Sequence, residues 1–336
     1  MVQKNTEGSK RMTKNILAGF DIGGTKCAVL LGEAAHGEIH ILAKQKFPTA
    51  DFPAPENCLH EMCRILAELI QKENLTFGQL RGIGISCGGP LDSHAGVIQS
   101  PPNLPGWIDV PAVRLVNRLT GLPVKLQNDA NACALAEWRY GAGRGTSDMI
   151  FLTFGTGLGA GIIAGGRLLE GCSGMAGECG HIRLAESGPY GYGKKGSFEG
   201  FCSGGGIARL GRFHAERLIR EEHPPRWCPD TSALSGLTAK IIGDAAENGD
   251  SEARAVYEES GRRLGQGLAI LIDILNPERI VIGSIFVRSE SLLRPAMERS
   301  MEAEALPQSA RCCRVVPALL GEHLGDIASL AIAAEL

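Results

Sequence analysis

The sequence predicts an α/β protein built from two related halves, each opening on a β-hairpin. Three observations carry this reading. Short apolar runs bounded by glycine alternate with segments whose apolar residues recur at helical spacing. A strand–turn–strand segment bearing glycine and threonine occurs twice, opening at residues 18–26 and again at 151–157. Glycine is abundant, 45 of 336 residues, while aromatics make up only 5%, a balance that suits many tight turns and close backbone approaches.

Residues 16–22 read as a buried strand ending at the Gly23-Gly24 turn, and 27–31 and 39–47 follow as strands with Gly32 and Gly37 as breaks. Residues 56–73 place Leu59, Met62, Cys63, Leu66, Leu69 and Ile70 on one helical face. A strand at 81–86 ends at Gly88-Gly89-Pro90, and 101–111 is a proline-rich loop. A helix at 113–120 stops at Gly121, a strand covers 124–127, and a helix runs over 129–140. The pattern then restarts with a strand at 149–152, the turn Gly155-Thr156-Gly157 and a strand at 161–164. Later, 261–275 is a helix with Leu264, Leu268, Leu271, Ile272 and Leu275 on one face, stopped by Asn276-Pro277. A strand at 279–282 ends at Gly283-Ser284, and 325–336 is a helix rich in small residues. Strand–helix alternation of this kind favours sheets covered on both faces. The expected domains are residues 1–127, completed by the terminal helix at 321–336, and residues 128–320.

Apolar content of 44% and charged content of 21% are ordinary for a chain with a substantial core, and the length suffices for about two domains. The net charge of −3 gives no electrostatic reason to expect nucleic acid or an anionic membrane as partner. The first fifteen residues are polar and charged, the apolar run at 16–20 is too short for a signal-peptide core, and no stretch of about 18 apolar residues follows. A cytoplasmic protein is expected. The 11 cysteines are odd in number and irregular in spacing, with Cys27, Cys87 and Cys133 inside apolar runs. They read as free thiols of a reducing compartment rather than as a disulfide framework.

Four motifs carry chemistry. Gly23-Gly24-Thr25 after a strand exposes backbone N–H groups able to face phosphate oxygens. Asp21 at that strand's end is suited to hold a metal-bound nucleotide directly or through water, and Lys26 adds positive charge. An ordinary hairpin explains one such turn equally well; the second, at Gly155-Thr156-Gly157, favours a phosphate cradle. The Walker sequence Gly-x-x-x-x-Gly-Lys-Ser/Thr is absent. Asn128-Asp129-Ala130-Asn131 follows a strand, where open α/β sheets place their ligands. Asp129 suits the base that accepts a hydroxyl proton in phosphoryl transfer, and Asn128 or Asp129 equally suits a helix N-cap. Glu178-Cys179-Gly180-His181 lies in a run with Gly171, Gly174 and Gly177. That run is either a binding loop whose Glu and His hydrogen-bond hydroxyl groups or a segment with a structural or zinc-ligating histidine. Glu199 is a third carboxylate, in a binding loop or simply solvated.

Together these motifs resemble the ROK family (repressors, open reading frames and kinases) of the actin-like ATPase superfamily, over residues 16–336. The segments that carry the resemblance are Asp21-Ile22-Gly23-Gly24-Thr25-Lys26, Asn128-Asp129-Ala130-Asn131, Phe154-Gly155-Thr156-Gly157-Leu158-Gly159-Ala160-Gly161 and Ala176-Gly177-Glu178-Cys179-Gly180-His181. The resemblance implies two ribonuclease H-like domains flanking a central cleft, ATP with Mg²⁺, and transfer of the γ-phosphoryl group to a hydroxyl of a hexose or N-acetylhexosamine. It implies Asp129 as general base. It implies Gly23, Gly24, Thr25, Lys26, Thr156 and Gly157 at the phosphates, Asp21 toward Mg²⁺ and Gly283 near the adenosine. Around the sugar it implies Gly89, Asn103, Asn128, Glu178, His181 and Glu199. A homodimer is its usual assembly.

One departure concerns metal. The family commonly carries a zinc loop, Cys-x-Cys-Gly-x-x-Gly-Cys-x-Glu, completed by the histidine of Glu-x-Gly-His. The matching run here is Tyr190-Gly191-Tyr192-Gly193-Lys194-Lys195-Gly196-Ser197-Phe198-Glu199, so Tyr190, Tyr192 and Ser197 stand at the three cysteine positions. A structural zinc takes about four ligands, mainly Cys and His. Only His181 remains, so no structural zinc is predicted, and packing is expected to hold the loop. The family also contains sugar-binding repressors with an N-terminal helix-turn-helix domain, for which about fifteen residues before the first strand are too few. A sugar-binding regulator without catalysis is the alternative function.

Overall fold

The computed structural model describes residues 15–336, and the polar residues 1–14 read above lie outside the described residues. The chain divides into two compact units. One comprises the chain up to Pro90, Ala95–Leu126 and Ser329–Leu336; the other comprises Leu91–His94 and Gln127–Ala328.

In chain order the first elements are β1 (Asn15–Ile22), β2 (Lys26–Ala35), β3 (Glu38–Pro48), α1 (Pro55–Lys72), β4 (Leu80–Cys87), the two-residue strands β5 (Leu91–Asp92) and β6 (Val97–Ile98), α2 (Ala112–Thr120) and β7 (Val124–Asn128). The first sheet has the order β3-β2-β1-β4-β7. β2 runs antiparallel to β1 and β3 antiparallel to β2, whereas β4 is parallel to β1. Residues pointing to both faces of β1 and β2 are buried, Ile16, Leu17 and Phe20 with Val29, Leu30 and Leu31, as in a sheet covered on both sides. α1 buries Leu59, Met62, Leu66, Leu69 and Ile70 as its spacing predicts, joined by Cys58 and Ile65. Gly32 does not break the strand. β2 continues to Ala35, and the pairing with β3 shifts register between Leu31 and Gly32, so the glycine marks a bulge instead. α2 does stop at Gly121, in the left-handed conformation at φ 72°.

The second unit repeats the scheme. Its elements are α3 (Asp129–Tyr140), β8 (Met149–Phe154), β9 (Leu158–Ala164), β10 (Arg167–Leu168), β11 (Tyr190–Gly191), β12 (Lys194–Lys195), α4 (Phe198–Phe201), α5 (Gly204–Arg220), α6 (Ala239–Glu247), α7 (Ser251–Leu275), β13 (Arg279–Ile282), α8 (Ile285–Glu304), α9 (Pro307–Cys312), β14 (Arg314–Pro317) and the start of α10 (Leu324–Ala334). The sheet order is β10-β9-β8-β13-β14. β8, β9 and β10 are joined antiparallel, and β13 and β14 continue parallel to β8. Two sheets of the same order, each starting from a hairpin, are the duplication that the paired glycine–threonine turns imply. The core gathers Ile150, Leu152 and Phe154 of the sheet against Leu264, Leu268 and Ile272 of α7 and Phe286 and Leu293 of α8. All eleven cysteines are free and most are buried. Among the described residues no helix is long and apolar enough to cross a membrane.

The end of α10 returns to the first sheet. Gly19 of β1 and Gly84 of β4 lie side by side in register. A Cβ on Gly19 would collide with the Ser329 hydroxyl, and one on Gly84 would strike the Ser329 carbonyl and come within 2.6 Å of Ala333 N. Two glycines on adjacent strands thus let helix backbone rest directly on sheet backbone. Gly84→Ala is expected to destabilise the fold by roughly 1–3 kcal/mol, through overpacking against backbone that cannot move aside. Gly78→Ala, whose Cβ would meet nothing within 4 Å, should stay within about 0.5 kcal/mol. Denaturant unfolding of the two variants and the wild type compares them directly.

Candidate active site

In the first unit, β1 carries Asp21 to the base of the turn that leads into β2. Gly23 N donates to Lys26 O at 3.2 Å, Thr49 N to Thr25 O at 3.1 Å and the Thr49 hydroxyl to Gly23 O at 2.6 Å. Three turn carbonyls are therefore satisfied within the protein, while Gly24, Thr25 and Lys26 are exposed. Carbonyl lone pairs bound inward leave a surface better suited to an anion than to a cation. Asn103 packs against this turn: a Cβ on Gly24 would lie 3.0 Å from Asn103 Cβ, and the Asn103 amide lies 3.6–3.7 Å from a Cβ built on Gly88. Gly89 follows in the same turn.

In the second unit, the junction of β7 and α3 assigns separate tasks to Asn128 and Asp129. Asn128 is the N-cap: its Oδ1 accepts from Asn131 N at 2.7 Å. Asp129 begins the helix with Oδ1 accepting from Ala130 N at 2.8 Å. The junction is braced by a polar chain in which Asn131 Nδ2 donates to Gln127 Oε1 at 3.2 Å. Gln127 Nε2 and the Ser93 hydroxyl then each donate to Glu170 Oε1 at 2.6 Å. The first turn of α3 lies on β9 because Gly161 has no side chain; a Cβ there would come within 2.5 Å of Ala130 O and of Ala134 Cβ.

Four ionisable side chains meet in this unit. Glu178 precedes the single helical turn Cys179–His181. Burial raises its carboxyl above the ordinary range; His181 pulls it down, and the charges of Asp129 and Glu199 push it further up. Asp129 can be reached from solvent, yet protein packed about it withholds enough water to raise its carboxyl too, against the lowering effect of N–H groups at Ala130 and Asp129 itself. Glu199, on α4, accepts from Leu158 N at 3.1 Å, and its Oε2 lies 2.8 Å from a Cβ built on Gly157. Asp129, Glu178, His181 and Glu199 thus form one cluster beside the Gly155–Gly157 turn.

On the other side of that turn lies a cavity of about 950 Å³, lined by Gly155, Thr156, Arg212, Lys240, Ser284 and Arg288 among others, a volume fit for a nucleotide-sized ligand. Gly283, picked out by the sequence, donates its N–H to Leu152 O at 3.0 Å and is not among the lining residues; its neighbour Ser284 is. Ser284 adopts φ 53°, ψ −108° just before α8, a backbone state that non-glycine residues rarely hold and that tends to mark functional sites. Arg212, Lys240, Ser284 and Arg288 escaped sequence reasoning. The one available signal is Ser203-Gly204-Gly205-Gly206, where Ser203 caps α5 by accepting from Gly206 N at 3.0 Å.

The loop at 190–199, for which the resemblance raised the question of zinc, has other occupations. Ser197 accepts from Gly200 N at 3.1 Å as the cap of α4. Tyr190 and Tyr192 offer phenols. Burial pushes the nearby thiol of Cys179 up to about 12 and raises that of Cys202 as well, and Cys202 donates to Ser260 O at 3.4 Å. Zinc is bound by thiolates, so this donor set does not fit a structural zinc.

Two like-ordered sheets, each opening on a glycine–threonine turn, are the architecture of the actin-like ATPases. Within them the chain belongs to the ROK family, whose model matches residues 17–335. A glucokinase of Halalkalibacterium halodurans is 34% identical over 319 residues, covering 94% of each chain. The structure of a ROK family glucokinase from Streptomyces griseus in complex with glucose and AMPPNP is similar with a TM-score of 0.73 at 30% identity, covering 96% of this chain and 100% of that one. A xylose repressor of Caldicellulosiruptor bescii is 33% identical over 236 residues, 67% of this chain and 56% of its own.

The raised carboxyl of Asp129 has a consequence for stability. Folding favours its protonated form, so its favourable contribution is complete below the unfolded value, about 3.9, and is lost as pH rises through the folded value. Asp129→Asn removes that loss. Its melting temperature is expected to exceed the wild type's at pH 7–8 and to converge with it toward about pH 3.5. A variant that melts below wild type at neutral pH would show instead that the charged carboxylate is a stabilising group.

Proposed function

We propose that the protein is an ATP-dependent sugar kinase that transfers the γ-phosphoryl group to a hydroxyl of a hexose or N-acetylhexosamine, with glucose the first substrate to try. The observation that carries the reading is Asp129: relieved of capping by Asn128, raised in pKa by its surroundings, and grouped with Glu178, His181 and Glu199. The sugar hydroxyl attacks the γ-phosphorus, its proton passes to the Asp129 carboxylate, and ADP leaves. A base raised toward the working pH accepts that proton more readily than an ordinary aspartate. Glu178, His181 and Glu199 provide acceptors and donors for sugar hydroxyls, as do the Asn128 and Asn103 amides and the backbone at Gly89. Gly23, Gly24, Thr25 and Lys26, with Thr156 and Gly157, serve the phosphates. Gly283 and Ser284 serve the adenosine end. Asp21, a hard oxygen donor, suits the Mg²⁺ that accompanies ATP, directly or through water; the ion, when bound, neutralises phosphate charge. Similarity to glucokinases over almost the whole chain supports the reading.

A second reading, a sugar-binding regulator without catalysis, has the likeness to the xylose repressor in its favour. The two part in one assay, ADP release from ATP and Mg²⁺ across a sugar panel. The kinase reading expects sugar-dependent release, abolished or cut by about 10² or more in kcat for Asp129→Asn. It also expects the acid limb of kcat/KM to lie above about pH 3.9, the ordinary aspartate value. Sugar binding without any sugar-dependent ADP release would leave the regulator.

A further inference from the structure

β11 and β12 pair antiparallel, Tyr190 with Lys195 and Gly191 with Lys194, so Tyr192 and Gly193 form a two-residue hairpin loop. Both residues have positive φ, 44° and 75°, the arrangement that selects Gly, Asn or Asp at both central positions. An exposed tyrosine there is out of place on local grounds, since nothing buries its ring: Tyr192 is 68% exposed. What the ring does touch is His181, edge to face, with centroids 5.2 Å apart and planes at 79°. The same hairpin holds the histidine's backbone, because Lys194 Nζ donates to His181 O at 2.6 Å, and the Arg183 guanidinium donates to Lys195 O at 2.7 Å. His181 is exposed, and its imidazole meets the Tyr192 ring of this loop while its charge acts on Glu178.

We infer that Tyr192 is a positioning residue for sugar recognition: its ring, held over His181 by the hairpin, fixes the imidazole in the orientation that meets the sugar, and the loop does this without a metal. The inference rests on the proposed sugar site. A residue kept in a backbone state that disfavours it marks a contact worth that cost, and the contact made is with a member of the carboxylate–imidazole cluster. The donor set of the loop, two phenols and a capping serine, gives zinc no purchase.

The test separates orientation from folding by using the residue the backbone prefers. Tyr192→Gly relaxes the turn while removing the ring; Tyr192→Phe keeps the ring and loses only the hydroxyl. Sugar affinity is measured calorimetrically without ATP, alongside KM and kcat and thermal melting, on the full chain. For Tyr192→Gly the sugar Kd and KM are expected to rise about 2- to 12-fold, the range of one aromatic pair contact, with kcat and the ATP KM within about twofold and melting temperature not lowered. Tyr192→Phe should match wild type. Wild type stripped with a chelator and returned to zinc-free buffer should keep its sugar Kd. Unchanged affinity in Tyr192→Gly overturns the inference, as does an equal loss in both variants, which would mean that the phenol hydroxyl meets the sugar directly. Lowered melting with all kinetic constants impaired together would reduce Tyr192 to a structural residue, and loss of sugar binding on chelation restored by zinc would return the loop to metal. A wild type that binds sugar but turns none over defeats the kinase reading and leaves the Tyr192 inference standing on Kd alone; one that binds no sugar removes both.

Discussion

The hydrogen bond from Asn131 N to Asn128 Oδ1 is the contact on which the candidate site depends. A helix beginning at the end of a sheet strand has unpaired N–H groups that some side chain must satisfy. If Asp129 served as the cap, its carboxylate would take further backbone donors beyond the Ala130 N–H it already accepts and be lowered more in basicity. With Asn128 in that role, Asp129 keeps a carboxyl whose pKa is governed chiefly by loss of water. The polar chain from Asn131 through Gln127 to Glu170 and Ser93 holds the same junction from behind, and Gly161 lets the helix settle on β9. One capping bond, one glycine and one buried amide chain therefore determine where the Asp129 carboxyl stands.

The price of that placement is electrostatic. The charges of Asp129 and Glu199 disfavour ionisation of Glu178 in partly dehydrated surroundings, with His181 the only member of the cluster that opposes the effect at Glu178. Such a grouping gains nothing for the fold, because a raised carboxyl is a cost at neutral pH. Under the proposed function the grouping would serve a hydroxyl-rich, uncharged ligand, which supplies hydrogen bonds to several acceptors at once without adding charge. Sites poised in this way commonly cost stability that the rest of the structure must supply. Here the supply is the dense contact of α7 and α8 with the second sheet and the close seat of α10 on the first.

Much of this was legible in the sequence, and the reasons for the remainder are physical. The strands β1, β4, β8 and β13 announce themselves as apolar runs because both faces of their sheets are covered. Gly121 and Asn276 end helices in left-handed conformations that those residues tolerate best. The first ten residues of α7 were not legible. Ser251–Ser260 is polar, with Ala253, Val256 and Tyr257 as its few buried apolar residues, and its start is set by the Asp250 cap, whose carboxylate accepts from Ala253 N at 2.9 Å. The sequence breaks β2 at Gly32 because a bulge and a break look alike in one dimension. At the site, the motif residues were found because their types are chemically distinctive, whereas Arg212, Lys240 and Arg288 were not, since an arginine on a surface helix and one that lines a cavity have the same sequence signature.

The hairpin at 190–195 is held without the thiolates that a metal-organised loop would use. A metal site organises a loop through a few strong, directional bonds and needs thiolates to do so. This loop distributes the work over a serine cap on α4, backbone pairing of β11 with β12, two cationic side chains bonded to carbonyls and one aromatic ring on His181. Each of these contacts is weaker than a metal–ligand bond, so the loop's order depends on several acting together, and its geometry around Glu199 and His181 is set by packing rather than by a coordination sphere.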